Sequence, residues 1–152
     1  MYESRGSRET TDFGAYDGTE FVPRASYWHQ RLFAETFTGV TVPQAVSSRE
    51  DILFFASADA PAGRLGVMIL NLSEQDHDYQ IRFNAGPSND NVLILTLPFG
   101  RSETYKDHLP GRTSQFLVFE NQLVRKTSYS ASDFAGSKPP TTTSVRTTLR
   151  LR

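Results

Sequence analysis

A mainly β fold is predicted, an antiparallel β-sandwich with one N-terminal α-helix, and three features of the sequence predict it. The run 65–72 is almost continuously apolar yet far too short to span a bilayer, so it reads as a central strand buried on both faces. Further apolar segments lie before and after it, separated by Gly, Pro, Asn and Asp, as in a sheet packed on a sheet. Aromatic residues are plentiful (11 Phe, 6 Tyr and 1 Trp); they favour strands and bury much surface each. A chain of 152 residues is one domain's worth and is able to bury roughly 68–70% of its unfolded surface.

Residues 1–22 begin without the apolar core of a secretory signal, and 6–18 have the Gly, Asp and Thr content of a loop. An intracellular protein and a piece of a longer one are both compatible with that start. A helix is expected within 23–39, with Ser26 as its N-cap and Gly39 as the left-handed residue beyond its end. Trp28, Leu32, Phe33 and Phe37 recur at helical spacing and make its apolar stripe. His29, Gln30, Arg31 and Glu35 are expected to face away from that stripe.

The sandwich is assigned to 40–126, with strands over 40–46, 52–58, 65–72, 79–83, 92–97, 116–120 and 122–126. Residues 59–63, Asp-Ala-Pro-Ala-Gly, are turn chemistry and predict a hairpin between the second and third strands. Tyr79, Ile81 and Phe83 alternate with Gln80 and Arg82, the mark of a half-exposed strand. The polar stretches 84–91 and 101–112 read as connections. Residues 127–152 read as an extended basic tail. Its Pro/Thr stretch 138–144 should be extended, and beyond it Val145, Thr147, Leu149 and Leu151 share one parity against Arg146, Arg150 and Arg152. That end is either a last edge strand or a disordered basic tail.

The chemistry the sequence excludes is broad. A net charge of −1 gives no global electrostatic case for nucleic acid or an anionic membrane, and no segment is long and apolar enough to be transmembrane. The absence of cysteine removes disulfides and thiolate metal sites. Retaining sugar hydrolysis requires two carboxyl groups about 5–5.5 Å apart on a rigid scaffold. The acidic residues, among them Asp59, Asp76, Asp78, Asp90 and Asp107, fall mainly in predicted loops. His29, His77 and His108 lack metal-ligand spacing, and Asp76-His77-Asp78 reads as a polar turn. No catalytic set, metal site or cofactor motif emerges. Asn71-Leu72-Ser73 is a glycosylation sequon.

Three motifs in order carry a family resemblance. Phe21-Val22-Pro23 with Tyr27-Trp28, Leu32-Phe33 and Gly39-Val40 resembles the stretch of heparanase-type β-glucuronidases where the last barrel helix leads into the C-terminal domain. Residues 67–73 resemble that family's "LLINLS" strand. Leu109-Pro110, Thr113-Ser114-Gln115, Val118, Asn121 and Leu123 resemble a third conserved pattern of the same enzymes.

The resemblance implies a (β/α)8 barrel enzyme cleaving glucuronidic bonds of acidic polysaccharides with retention, of which this chain holds the C-terminal sandwich. It implies that 1–22 is a loop and remnant of the barrel, and that a catalytic barrel is the partner, in cis or in trans. Members of the family are secreted, lysosomal or extracellular. Neither catalytic glutamate has a counterpart in this chain. The family's substrate-contacting Gly-Asn-Tyr loop aligns with Thr11-Asp12-Phe13, where Thr11 replaces the glycine and Phe13 lacks the phenolic hydroxyl. Trp28 and Phe33 become the expected anchors of the barrel contact. Two other readings need no barrel. One is a binder of acidic glycans gripping carboxylate or sulfate through Arg125, Lys126, Lys138, Arg146, Arg150 and Arg152. The other is a structural interaction module.

Overall fold

The structure, a computed structural model, describes residues 23–42, 47–83, 92–95, 103–136 and 138–147. Helix α1 (Ala25–Thr36) precedes strands β1 (Val40–Thr41), β2 (Ile52–Asp59), β3 (Arg64–Asn71), β4 (His77–Phe83), β5 (Val92–Leu95), β6 (Glu103–Leu109), β7 (Thr113–Glu120) and β8 (Leu123–Ser130). A short helix, α2 (Ala131–Ala135), then leads to β9 (Thr141–Arg146). The strands form two sheets, a six-stranded one in the order β1-β2-β3-β7-β8-β9 and a three-stranded one in the order β5-β4-β6. All pairings are antiparallel except β4 with β5. The mainly β sandwich with its N-terminal helix is the architecture the sequence predicts.

Period-two alternation builds the core between the sheets. Ile52, Phe54 and Ala56 of β2, Leu65, Val67 and Ile69 of β3, Leu117 and Phe119 of β7 and Val124 of β8 point one way. They meet Tyr79 and Ile81 of β4 and Leu109 of β6. β3 is central, with its neighbours β2 and β7 hydrogen-bonded on either side. Its hairpin with β2 turns through Gly63 at φ 60°, a conformation glycine adopts without strain. The β7–β8 hairpin closes on Asn121 and Gln122, both at positive φ, as a tight two-residue turn requires.

Several expectations are corrected. α1 begins one residue before Ser26; its N-cap position is Arg24, whose side chain does not cap the helix, while Phe37 closes the other end by donating its N–H to the Phe33 carbonyl. Gly39 is needed for a different reason, since a Cβ there would overlap the Ala58 carbonyl on β2. Of the expected stripe Trp28, Leu32, Phe33 and Phe37, the helix buries Leu32, half-buries Trp28 and Phe37 and leaves Phe33 out. Leu32 and Thr36 are its buried residues, with His29 one turn earlier on the same face, and Phe33 is 51% exposed. Thr36 packs where Gly66 leaves a notch in β3 that any side chain would fill.

The strand expected over 40–46 is described only as Val40–Thr41; Val42 still donates its N–H to the Ala56 carbonyl, and 43–46 lie outside the described residues. The supposed connection 101–112 contains β6. Pairing also runs past 126: β8 reaches Ser130, and α2 follows with a reciprocal capping box between Ser130 and Asp133. The Pro/Thr stretch itself supplies β9, which takes the edge-strand reading but starts earlier than parity at 145–151 suggests.

Candidate functional site

Two surfaces and one buried seam hold the side chains that bear on function. The seam lies between the sheets. Gln115 of β7 accepts from the Tyr79 hydroxyl at 3.0 Å and donates to the His108 carbonyl at 2.9 Å, tying β7 to β4 and β6. Beside it Lys126 of β8 reaches Asp107 of β6 at 2.6 Å, and the Tyr105 hydroxyl donates to the same carboxylate oxygen at 2.8 Å. Burial alone would raise the Asp107 carboxyl. The bonds from Lys126, the His108 N–H and Tyr105 outweigh it, and the group stays below the ordinary carboxylate range. Burial pushes the Tyr79 and Tyr105 phenols up, so both act as neutral donors.

Past the end of β3, side chains pin the loop that leads to β4. Asn71 is 1% exposed; its amide donates to the Gln75 and Pro110 carbonyls, and its oxygen accepts from the Ser73 N–H and hydroxyl. The sequon nitrogen is therefore spent on the fold and has no room for a glycan. On the open side of the same loop, His108 lies between Asp78 at 2.9 Å and Asp76 at 3.4 Å. The hydrogen bond to Asp78, then that to Asp76, raise its imidazole above the ordinary histidine range.

Glycosidic proton donation needs a carboxyl raised by an apolar setting. Asp51, Asp76, Asp107 and Asp133 are all shifted the other way. Arg49 holds Asp51 down, the Gly111 N–H holds Asp76 down, and Ser130 holds Asp133 down. Among the described residues no group of three His, Cys, Asp or Glu is placed to hold a metal ion.

The first surface is the side of the large sheet that carries α1. His29, expected in solvent, is instead a seated residue. One ring nitrogen bonds the Ala25 carbonyl at 2.9 Å and the other the Ser114 hydroxyl at 3.0 Å, with the ring edge-on to Phe116 and Tyr129. α1 packs mainly on β3 and β7, with His29 reaching Tyr129 of β8, and large apolar groups stay in solvent around it. Phe33, half exposed, stacks on Phe37 with ring centroids 4.4 Å apart, while Phe55 and Leu53 of β2 are 48% and 37% exposed on the same side. Trp28 is half-buried, edge-on to Tyr27 and with the Arg31 guanidinium over its ring.

The second surface is the β8–β9 end of that sheet. Of the candidate anion contacts, Arg125 and Arg146 are exposed and share one side, because Arg146 pairs with Leu123 and Arg125 with Ser144. Lys126 faces the opposite side and is engaged by Asp107, so it cannot join them. Lys138 is exposed before β9, its backbone N–H held by the Asp133 carbonyl. Thr11, Phe13, Arg150 and Arg152 lie outside the described residues. The structure thus brings together two of the predicted cations and separates a third. The aromatic side of α1 is legible in sequence only as a helical stripe, which does not reveal that Phe33 stands in solvent.

No family model, curated protein or solved structure matches this chain. Among the described residues no helix is long and apolar enough to cross a membrane.

Proposed function

We propose that the chain is a non-catalytic β-sandwich module of a glycoside hydrolase of the heparanase type, a wall that docks on a (β/α)8 barrel acting on acidic polysaccharides. The observation that supports this reading best is the α1 side of the large sheet. Phe33, Phe37, Leu53 and Phe55 present apolar surface there, next to a helix that its own sandwich covers on one face only. Half-exposed aromatics on one side are the feature expected of a docking face. The downward-shifted carboxyls fit a role without proton transfer to a leaving sugar. The test pairs the purified chain with a heparanase-type barrel expressed without its own sandwich. The chain alone leaves a chromogenic glucuronide intact, and its addition restores hydrolysis by the barrel; turnover by the chain unaided contradicts the reading.

A second reading, an acidic-glycan binder, rests on Arg125 and Arg146 sharing a side with the Thr142 and Ser144 hydroxyls. Retention on heparin resin that falls with salt and disappears in an Arg125→Ala/Arg146→Ala variant supports it, and flow-through of the intact chain at low salt removes it.

A further inference from the structure

We infer that β9 is a self-pairing edge, through which two copies of this chain join their six-stranded sheets into one. The inference stands independently of the proposed function. All six β9 residues are exposed, on both faces of the strand, and among the described residues nothing pairs with its outer edge. Native edges are usually blunted by charge, proline, a bulge or brevity. β9 has neither proline nor acid, one charge at its last position, and five β-favouring or hydroxyl residues before it.

Register shows which groups are on offer. Thr147 donates its N–H to Gln122, and Leu123 pairs with Arg146, so 141, 143 and 145 direct their backbone groups at β8. The N–H and C=O groups of Thr142, Ser144 and Arg146 therefore point outward. A two-fold axis normal to an antiparallel sheet places a residue opposite itself. With Ser144 on that axis, Ser144 exchanges both bonds with its copy, and Thr142 exchanges both with the copy's Arg146 on each side. Every outward group of β9 is satisfied, about six hydrogen bonds in all. Centring on Thr143 instead sets Pro140, which has no N–H, opposite Arg146.

Charge favours the same arrangement. In the Ser144 register the two Arg146 residues are four positions apart, about 13 Å at strand rise, beyond the Debye length of about 8 Å at physiological ionic strength. A parallel pairing would stack arginine on arginine. Thr142 and Ser144, both small and hydroxylic, leave the contact free of steric conflict.

The test is sedimentation equilibrium of the whole chain from micromolar to several hundred micromolar. The expected result is a concentration-dependent species of twice the 17.1 kDa chain mass, little affected by salt. Ser144→Lys sets two ammonium groups face to face, and Ser144→Pro removes an outward N–H that β8 does not use. Each should keep the native circular dichroism while returning the chain to monomer, and Ser144→Pro should match the unfolding midpoint of the unaltered chain at concentrations where that chain is itself monomeric. A chain that is monomeric at every concentration overturns the inference. So does a dimer that survives both variants but is lost in Phe33→Ser, which would place the contact on the α1 side.

Discussion

The two faces of the six-stranded sheet are built from the same strands and by the same alternation, yet they end in different states. The inner face is closed by a second sheet, and Leu65, Val67, Ile69, Leu117 and Phe119 on it are 0–1% exposed. The outer face receives one helix of twelve residues over its middle strands, leaving Phe55 and Leu53 of β2 half in solvent. Coverage decides which face becomes core: a whole second sheet lies over the inner face, whereas α1 packs on β3, β7 and the Tyr129 end of β8 and leaves β2 open. The inner face carries stability, and the outer face is left with surface to give to a partner.

The largest effect that checks this division is expected on the inner face. Phe119, edge-on to Tyr105 at 5.2 Å, fills the space between the sheets. Phe119→Ala should cost about 3–5 kcal/mol in urea unfolding, the range for a truncated core aromatic. Next comes a contact under α1 where the outer face is packed as tightly as the inner. Gly66→Ala drives a methyl into the Thr36 carbonyl, and because both groups are main chain neither yields by a rotamer change. A loss of about 2–3 kcal/mol is expected, with α1 lifted and the protection of its amides from hydrogen exchange reduced.

A smaller effect belongs to the polar stitch in the seam. Asp107→Ala leaves the Lys126 ammonium without its partner and should cost about 2 kcal/mol at neutral pH. The sign of its pH dependence follows from its lowered pKa. The contribution is complete above the unfolded value of about 3.9 and is lost as pH falls through the folded one. The variant should therefore unfold with a shallower acid limb below about pH 4. His108 has the opposite sign. Its raised pKa stabilises below about pH 6.5 and is lost as pH rises through the folded value. Replacing both Asp76 and Asp78 with asparagine should bring its titration, followed by NMR, back toward the ordinary value.

The same comparison explains what the sequence could reveal. β2, β3 and the apolar half of β7 are legible because their inward positions are apolar and a single-strand pattern suffices. β6, Glu-Thr-Tyr-Lys-Asp-His-Leu, is not, because its inward row is Tyr105, Asp107 and Leu109. The charge in the middle of that row is compensated by Lys126, a residue nineteen positions away that no local window pairs with it. The helix misleads for a related reason. Of its apolar stripe only Leu32 is fully buried, because the face it packs is shared with His29, to which Ser114 offers a hydrogen bond, and Thr36, for which Gly66 leaves a notch. The paired cations Arg125 and Lys126, adjacent on a strand, must face opposite ways, so period two alone separates them.

The smallest expected change in stability is the most informative about function. Phe33 is half exposed and stacks on Phe37, so Phe33→Ser removes about half the burial that a core aromatic would lose. Unfolding free energy should fall by about 1 kcal/mol, well short of the loss in Phe119→Ala. An aromatic that forms the centre of a docking face behaves otherwise in the complex, where truncation of such an anchor costs about 2 kcal/mol or more, a loss of roughly thirty-fold in affinity. Binding to a heparanase-type barrel that fails in Phe33→Ser and in Phe55→Ser, with folding intact, places function on the uncovered face. Destabilisation as large as that of Phe119→Ala would instead make the outer aromatics part of the core and erase the distinction between the two faces.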